Sequence, residues 1–234
     1  MVKKDPLKKL VIATPGKITV HSKTYGRHER APRGSKTKTD VNEAMKEAGR
    51  RLAGANIQAK LICDALKPYR ENFIGGQIWQ RLVKHFAQQA KKHEDYSVMG
   101  IKEWDLNQQY PTSRLMYPTV KFELDPLRSE LHIAVSYFFN NRFLERKNNI
   151  TDFRVTIILL FPDFIKNEII TIANTLPEKK MEDSAKYEFI QLIPEGAGSW
   201  LGCFKAEACV LGVPVPGSGN VDKAMCLLEG GIIG

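Results

Sequence analysis

The chain has 234 residues, with 35 lysines and arginines against 26 aspartates and glutamates and 43% hydrophobic residues. That is a globular composition, long enough for one large domain or two modest ones with cores of their own, and it excludes a mini-protein that needs staples. The longest apolar run, around Val155 to Phe161, is about half of the ~20 residues a membrane-spanning helix requires. The N-terminal stretch MVKKDPLKKLVIATPGK has lysines but no h-region of a secretory signal. Its expected location is therefore the cytoplasm, or a virion or other assembly.

Basic charge is concentrated at the N-terminus. Lys3, Lys4, Lys8, Lys9, Lys17, Lys23, Arg27, Arg30, Arg33, Lys36 and Lys38 stand against only Asp5 and Glu29, a local excess of +9. The whole chain also carries +9, so everything after residue 39 sums to zero. Such an arm finds a polyanion by counterion release; a nucleic acid, an anionic surface or an acidic protein would all serve, and a solvated face is the plain alternative. These eleven cations form the expected polyanion-binding set. Leu10, Val11, Ile12, Ile18 and Val20 flank Thr14-Pro15-Gly16-Lys17, which predicts a β-hairpin over residues 9–20 around a Pro-Gly turn. The stretch from His21 to Lys38 is expected to be extended unless a partner holds it.

From residue 40 the period changes. Val41, Ala44, Met45, Ala48, Leu52, Ala55, Ala59, Ile62, Cys63 and Leu66 keep one helical face for about seven turns, with Asp40 and Glu43 as the start signal and Pro68 as the stop. Small residues on this helix, including Gly49 and Gly54, predict a close neighbour, since glycine inside a helix otherwise costs about 1 kcal/mol. A second amphipathic pattern follows Asn72 through Ile78, Leu82, Phe86 and Ala90 to about His93, and the short connection predicts an antiparallel helical hairpin. Lys46, Arg50 and Arg81 on these helices read first as ordinary solvated faces, with an extension of the basic field as the alternative. Residues 94–117 break the helical period, contain Gly100 and Pro111, and read as a linker.

After Pro118 the period is two. Strands are expected at 120–124, 131–137, 153–161, 168–173, 187–193, 200–213 and 221–228, which together suggest an antiparallel β-sandwich. No internal sequence repeat is evident. The expected fold is α+β: a basic arm with a short hairpin (1–39), a helical hairpin (40–93), a linker (94–117) and the sandwich (118–234).

Familiar chemistries find little support. Cys63, Cys203, Cys209 and Cys226 lack metal or redox spacing. On one strand Cys203 and Cys209 would lie about 20 Å apart at ~3.3 Å per residue, too far for a disulfide; buried free thiols are expected. Pro216-Gly217-Ser218-Gly219-Asn220 lacks the Lys-Ser/Thr of a phosphate loop and reads as a hairpin turn. Asp163 with Glu178-Lys179-Lys180 has the residue types of a metal-dependent nuclease, but that chemistry needs the glutamate and lysine on a strand facing the aspartate, and they lie in a polar stretch. None of the five histidines has metal-ligand spacing, and His132 reads as an ordinary strand residue. The sequence therefore points to no catalytic, cofactor or metal residues.

Gly16-Lys17-Ile18, Tyr25, Arg30, Pro32, the long helix from Thr39, Leu66-Lys67-Pro68 and Gln77-Ile78-Trp79, followed by a β-rich half, resemble an uncharacterised group of Bacteroidota proteins of unknown function. The resemblance implies the same architecture and carries no active site with it. The leading expectation is a non-enzymatic interaction protein, a self-associating or protein-binding subunit of a phage-derived or other assembly. The alternative is sequence-nonspecific nucleic-acid binding through residues 3–38 with Lys46, Arg50 and Arg81; a metal-dependent hydrolase around Asp163 stands third.

Overall fold

A computed structural model describes residues 17–22, 26–30, 42–70, 77–93, 95–140, 150–177, 179–180, 185–215 and 222–233. The chain is mixed α+β with antiparallel sheets, and it divides into two compact units, residues 1–46 and 47–234.

In the first unit, β1 (Ile18–Ser22) pairs antiparallel with β2 (Gly26–Arg30) in the register Ile18 to Arg30 and Val20 to His28. Most of the hairpin expected over residues 9–20 lies outside the described residues, which begin at Lys17. Ile18 and Val20 do lie in a strand, but they pair forward with the stretch expected to be extended; the first strand of the expected hairpin lies outside the described residues. Gly26 adopts φ +64°, which glycine allows at no steric cost where the chain enters the return strand.

Helix α1 (Glu43–Ala65) crosses from the first unit to the second. Asn42 starts it: its side-chain oxygen accepts the Met45 backbone N–H at 2.8 Å, satisfying one of the orphan donors of the first turn. The expected Asp40 cap lies outside the described residues. The helix ends at Ala65, and Pro68 sits in the single 3-10 turn that follows (Lys67–Tyr69). Only the C-terminal part of the long apolar stripe is covered. Ala55, Ala59, Ile62, Cys63 and Leu66 are buried, whereas Ala44, Met45, Ala48 and Leu52 are exposed. The prediction from small residues splits in the same way. A Cβ at Gly54 would overlap the Tyr96 ring, while one at Gly49 would meet nothing within 4 Å. The close neighbour is thus one tyrosine side chain at Gly54.

In the second unit, helix α2 (Ile78–His93) and seven strands form two layers against each other. The large sheet runs β3 (Lys102–Asp105), β12 (Lys223–Ile232), β10 (Ser199–Val210), β6 (Asp152–Asp163), β7 (Glu168–Thr175), with two short strands, β8 (Lys179–Lys180) on β6 and β11 (Val213–Pro214) on β10. A smaller sheet orders β4 (Met116–Asp125), β5 (Glu130–Phe139) and β9 (Ala185–Leu192). The strands of the large sheet read as continuous apolar runs because both of their faces are covered. Ile158, Leu160, Leu201, Cys203, Met225 and Leu227 form one buried cluster with α1 and α2. Phe153, Val155, Ile157, Leu159, Phe204 and Ala206 form another with Leu131, Ile133, Val135 and Tyr137 of the smaller sheet. At Gly202 an added Cβ would lie 2.4 Å from Cζ of Phe122, whose ring packs 4.7 Å from that of Trp200; glycine lets the smaller sheet approach here.

All seven expected strands exist, with the run at 200–213 broken by a turn at Leu211-Gly212 before β11. The expected linker at 94–117 is a different matter. It contributes β3, which pairs with β12, and it buries Val98, Ile101, Leu106, Leu115 and Met116. Its Gly100 and Pro111 broke the periodicity without loosening the packing. A repeated turn also emerges that the sequence had not shown. Asp125 and Asp163 each accept the N–H groups two and three residues on, at 3.0–3.2 Å. Ser129 and Asn167 each take positive φ, 52° and 57°, before the return strand begins at Glu130 or Glu168. Both tips hold an aliphatic residue in solvent, Leu127 at 97% and Ile165 at 91% exposed.

Candidate functional site

A cleft of about 310 Å³ lies between the edge strands β3 and β4. Strand alternation builds it. Trp104 points to the helix side, where its ring stands edge-on to His85 at 5.5 Å and under the Arg81 guanidinium at 4.6 Å. Its neighbours Glu103 and Asp105 line the cleft instead, with Pro118 and Val120 of β4 opposite and Cys226 and Leu228 of β12 below. Lys102, Glu229, Thr112, Ser113, Tyr117 and Thr119 complete the lining. Glu103 holds φ +52°, an uncommon conformation for a residue with a Cβ.

Asp105 is fixed twice over. Its Oδ1 accepts both the backbone N–H and the hydroxyl of Thr112, each at 2.8 Å, and its carbonyl accepts Nη1 of Arg81 at 3.0 Å. Cys226, its cross-strand partner, is buried. Burial, and to a lesser degree the Asp105 and Glu103 carboxylates, push its thiol up to about 12 against the opposing effect of Thr112. At neutral pH the group is a protonated thiol and not a nucleophile. The remaining cysteines are buried and form no disulfide, as expected.

The expected polyanion-binding residues are only partly placed. Lys17 and Arg27 are exposed, and Arg30 ends β2. Lys3, Lys4, Lys8, Lys9, Lys23, Arg33, Lys36 and Lys38 lie outside the described residues. The helical cations of that reading are engaged locally: Lys46 with Glu43 at 2.6 Å, Arg50 with Glu47 at 2.9 Å, and Arg81 on Trp104. Helix α2, in contrast, contains no acidic residue. Among the described residues no carboxylate lies within 4 Å of its Lys84, Lys91 or Lys92.

Sequence reading also passed over a buried charged row on the helix side of the large sheet. Glu207 receives Lys205 Nζ at 2.7 Å and Lys223 Nζ at 3.6 Å, and all three side chains are at least 85% buried. Its signal was lysine and glutamate at alternating positions inside otherwise apolar strands.

Asp125, Glu130 and His132 bring ligand-type atoms within 4.8 Å of one another. Turn chemistry accounts for the carboxylates, since the β6–β7 turn sets Asp163 opposite Glu168 in the same way, with Ile170 where β5 has His132. Asp163 itself serves its turn: the backbone N–H and ammonium of Lys166 and the N–H of Ile165 hold its carboxyl below the usual range. Glu178, the other carboxylate of the nuclease pattern, lies outside the described residues. No family model, curated protein or solved structure matches the chain.

Proposed function

We propose that this is a non-enzymatic interaction protein, a subunit of a larger assembly that makes contacts through its basic N-terminal arm and the first turns of α1. One observation carries the reading: from Glu43 to Gly54 no residue of α1 is buried, yet Met45, Ala48 and Leu52 keep the three-and-four spacing of a covered face, with Met45 53% and Leu52 50% exposed. A fully covered Met or Leu contributes about 1.5–3 kcal/mol, and the continuity of this stripe with the buried one favours a partner. On the fold, the same reading keeps the antiparallel β-sandwich, supported by the cluster shared between the sheets and by Phe122 over Gly202, with β3 added to it. Light scattering after size exclusion, across a wide concentration range, tests the function. The full chain should exceed monomer mass, and Met45→Glu with Leu52→Glu should return it to monomer; a monomer at every concentration refutes the reading.

The acid-free α2 favours a second reading, nucleic-acid binding by phosphate contacts with little base readout. A gel shift with random DNA and RNA at two salt concentrations decides it. No shift at low salt removes it.

A further inference from the structure

We propose that the cleft between β3 and β4 is a binding site for an alkylammonium group, either a free small amine or the side chain of a lysine. Its lining has two characters. Val120, Pro118 and Leu228, with the neutral Cys226 thiol, offer an apolar floor suited to a short methylene chain. Glu103, Asp105 and Glu229 supply three carboxylates, against which Lys102 is the single lysine or arginine of the lining. Thr112 occupies Oδ1 of Asp105, so the exposed Glu103 and Glu229 are the adaptable acceptors.

Charge decides the ligand class. Low-dielectric walls strengthen the field of like charges gathered in a cleft, so a carboxylate or phosphate is repelled and a neutral alcohol gains nothing from it. An ammonium gains charge-assisted hydrogen bonds to the glutamates. Size decides the rest: about 310 Å³ is at the small end for ligand pockets, room for a chain of a few carbons and not for a cofactor.

The site does not depend on the assembly reading, because a small amine probes it directly. The full ¹⁵N-labelled chain is titrated with 1-aminopentane, with pentanoate and 1-pentanol as matched controls. Aminopentane should shift the amides of Glu103, Thr112 and Tyr117, while the controls should not. Glu103→Gln with Glu229→Gln should weaken the amine at least tenfold, with the circular dichroism and melting temperature of the parent. Equal binding of 1-pentanol, absence of amide shifts, or unchanged affinity in the double variant each overturns the proposal. A peptide of residues 1–16 identifies the source. Displacement of aminopentane by this peptide, and not by its lysine-acetylated form, supports a lysine side chain; aminopentane binding that the peptide leaves unchanged supports a free amine.

Discussion

Replacing Gly202 with alanine tests how the two sheets meet. The new Cβ would stand 2.4 Å from Phe122 Cζ and 3.0–3.1 Å from the two adjoining ring carbons, so the ring tip must retreat by roughly an ångström to reach ordinary contact. Its retreat is obstructed by Trp200, whose ring centroid is 4.7 Å away. Overpacking of this kind costs about 1–3 kcal/mol, offset in part by the 0.5–1 kcal/mol that alanine recovers from glycine within a strand. A net loss of about 1–2 kcal/mol is expected, which corresponds to a fall of roughly 2–8 °C in Tm for a chain of this size. The diagnostic is a double-mutant cycle in urea. In a Phe122→Leu background the obstruction is gone, so Gly202→Ala should become neutral or stabilising, giving a coupling of about 1–3 kcal/mol. Additivity within about 0.5 kcal/mol would mean that the ring does not rest on Gly202, and the account of the shared cluster would fail with it.

Three further outcomes are expected. Glu207→Gln leaves two buried ammonium groups without their carboxylate and should cost about 3 kcal/mol in urea unfolding, whereas removing the exposed Lys46 of the Lys46–Glu43 pair should change stability by less than 1 kcal/mol. His85 is held below its ordinary value of 6.5 by burial, despite its Nε2–H donating to the Ser97 carbonyl at 2.9 Å. The unfolded chain therefore takes up this proton first, and stability is full above pH 6.5 and lost as pH falls from there through the lower folded value. His85→Gln should flatten that loss between pH 7.5 and 5.5, and an equal loss in both proteins contradicts the assignment. Asn42→Ala should speed hydrogen exchange at Met45 about fivefold, the equivalent of ~1 kcal/mol of cap, with little change in global stability because the first turns of α1 are uncovered.

Local periodicity determined much of this protein. Alternation at Leu131, Ile133, Val135 and Tyr137, and the apolar run from Val155 to Phe161, set strands whose faces follow from the pleat. The period of Ala55, Ala59 and Ile62 set a helix in the same way. Lone buried cysteines were legible too, because their spacing ruled out the alternatives. Tertiary structure decided what pattern cannot encode. Whether Met45 and Leu52 are covered depends on what lies beside α1, and helical spacing is identical in either case. Residues 94–117 lost the period yet joined the large sheet, because β3 is only four residues long and its pairing comes from β12, more than a hundred positions away. The cleft shares that origin: Glu103 and Asp105 become one site with Cys226 and Val120 only when two sheet edges converge, and such a convergence leaves no mark on the spacing of neighbours along the chain.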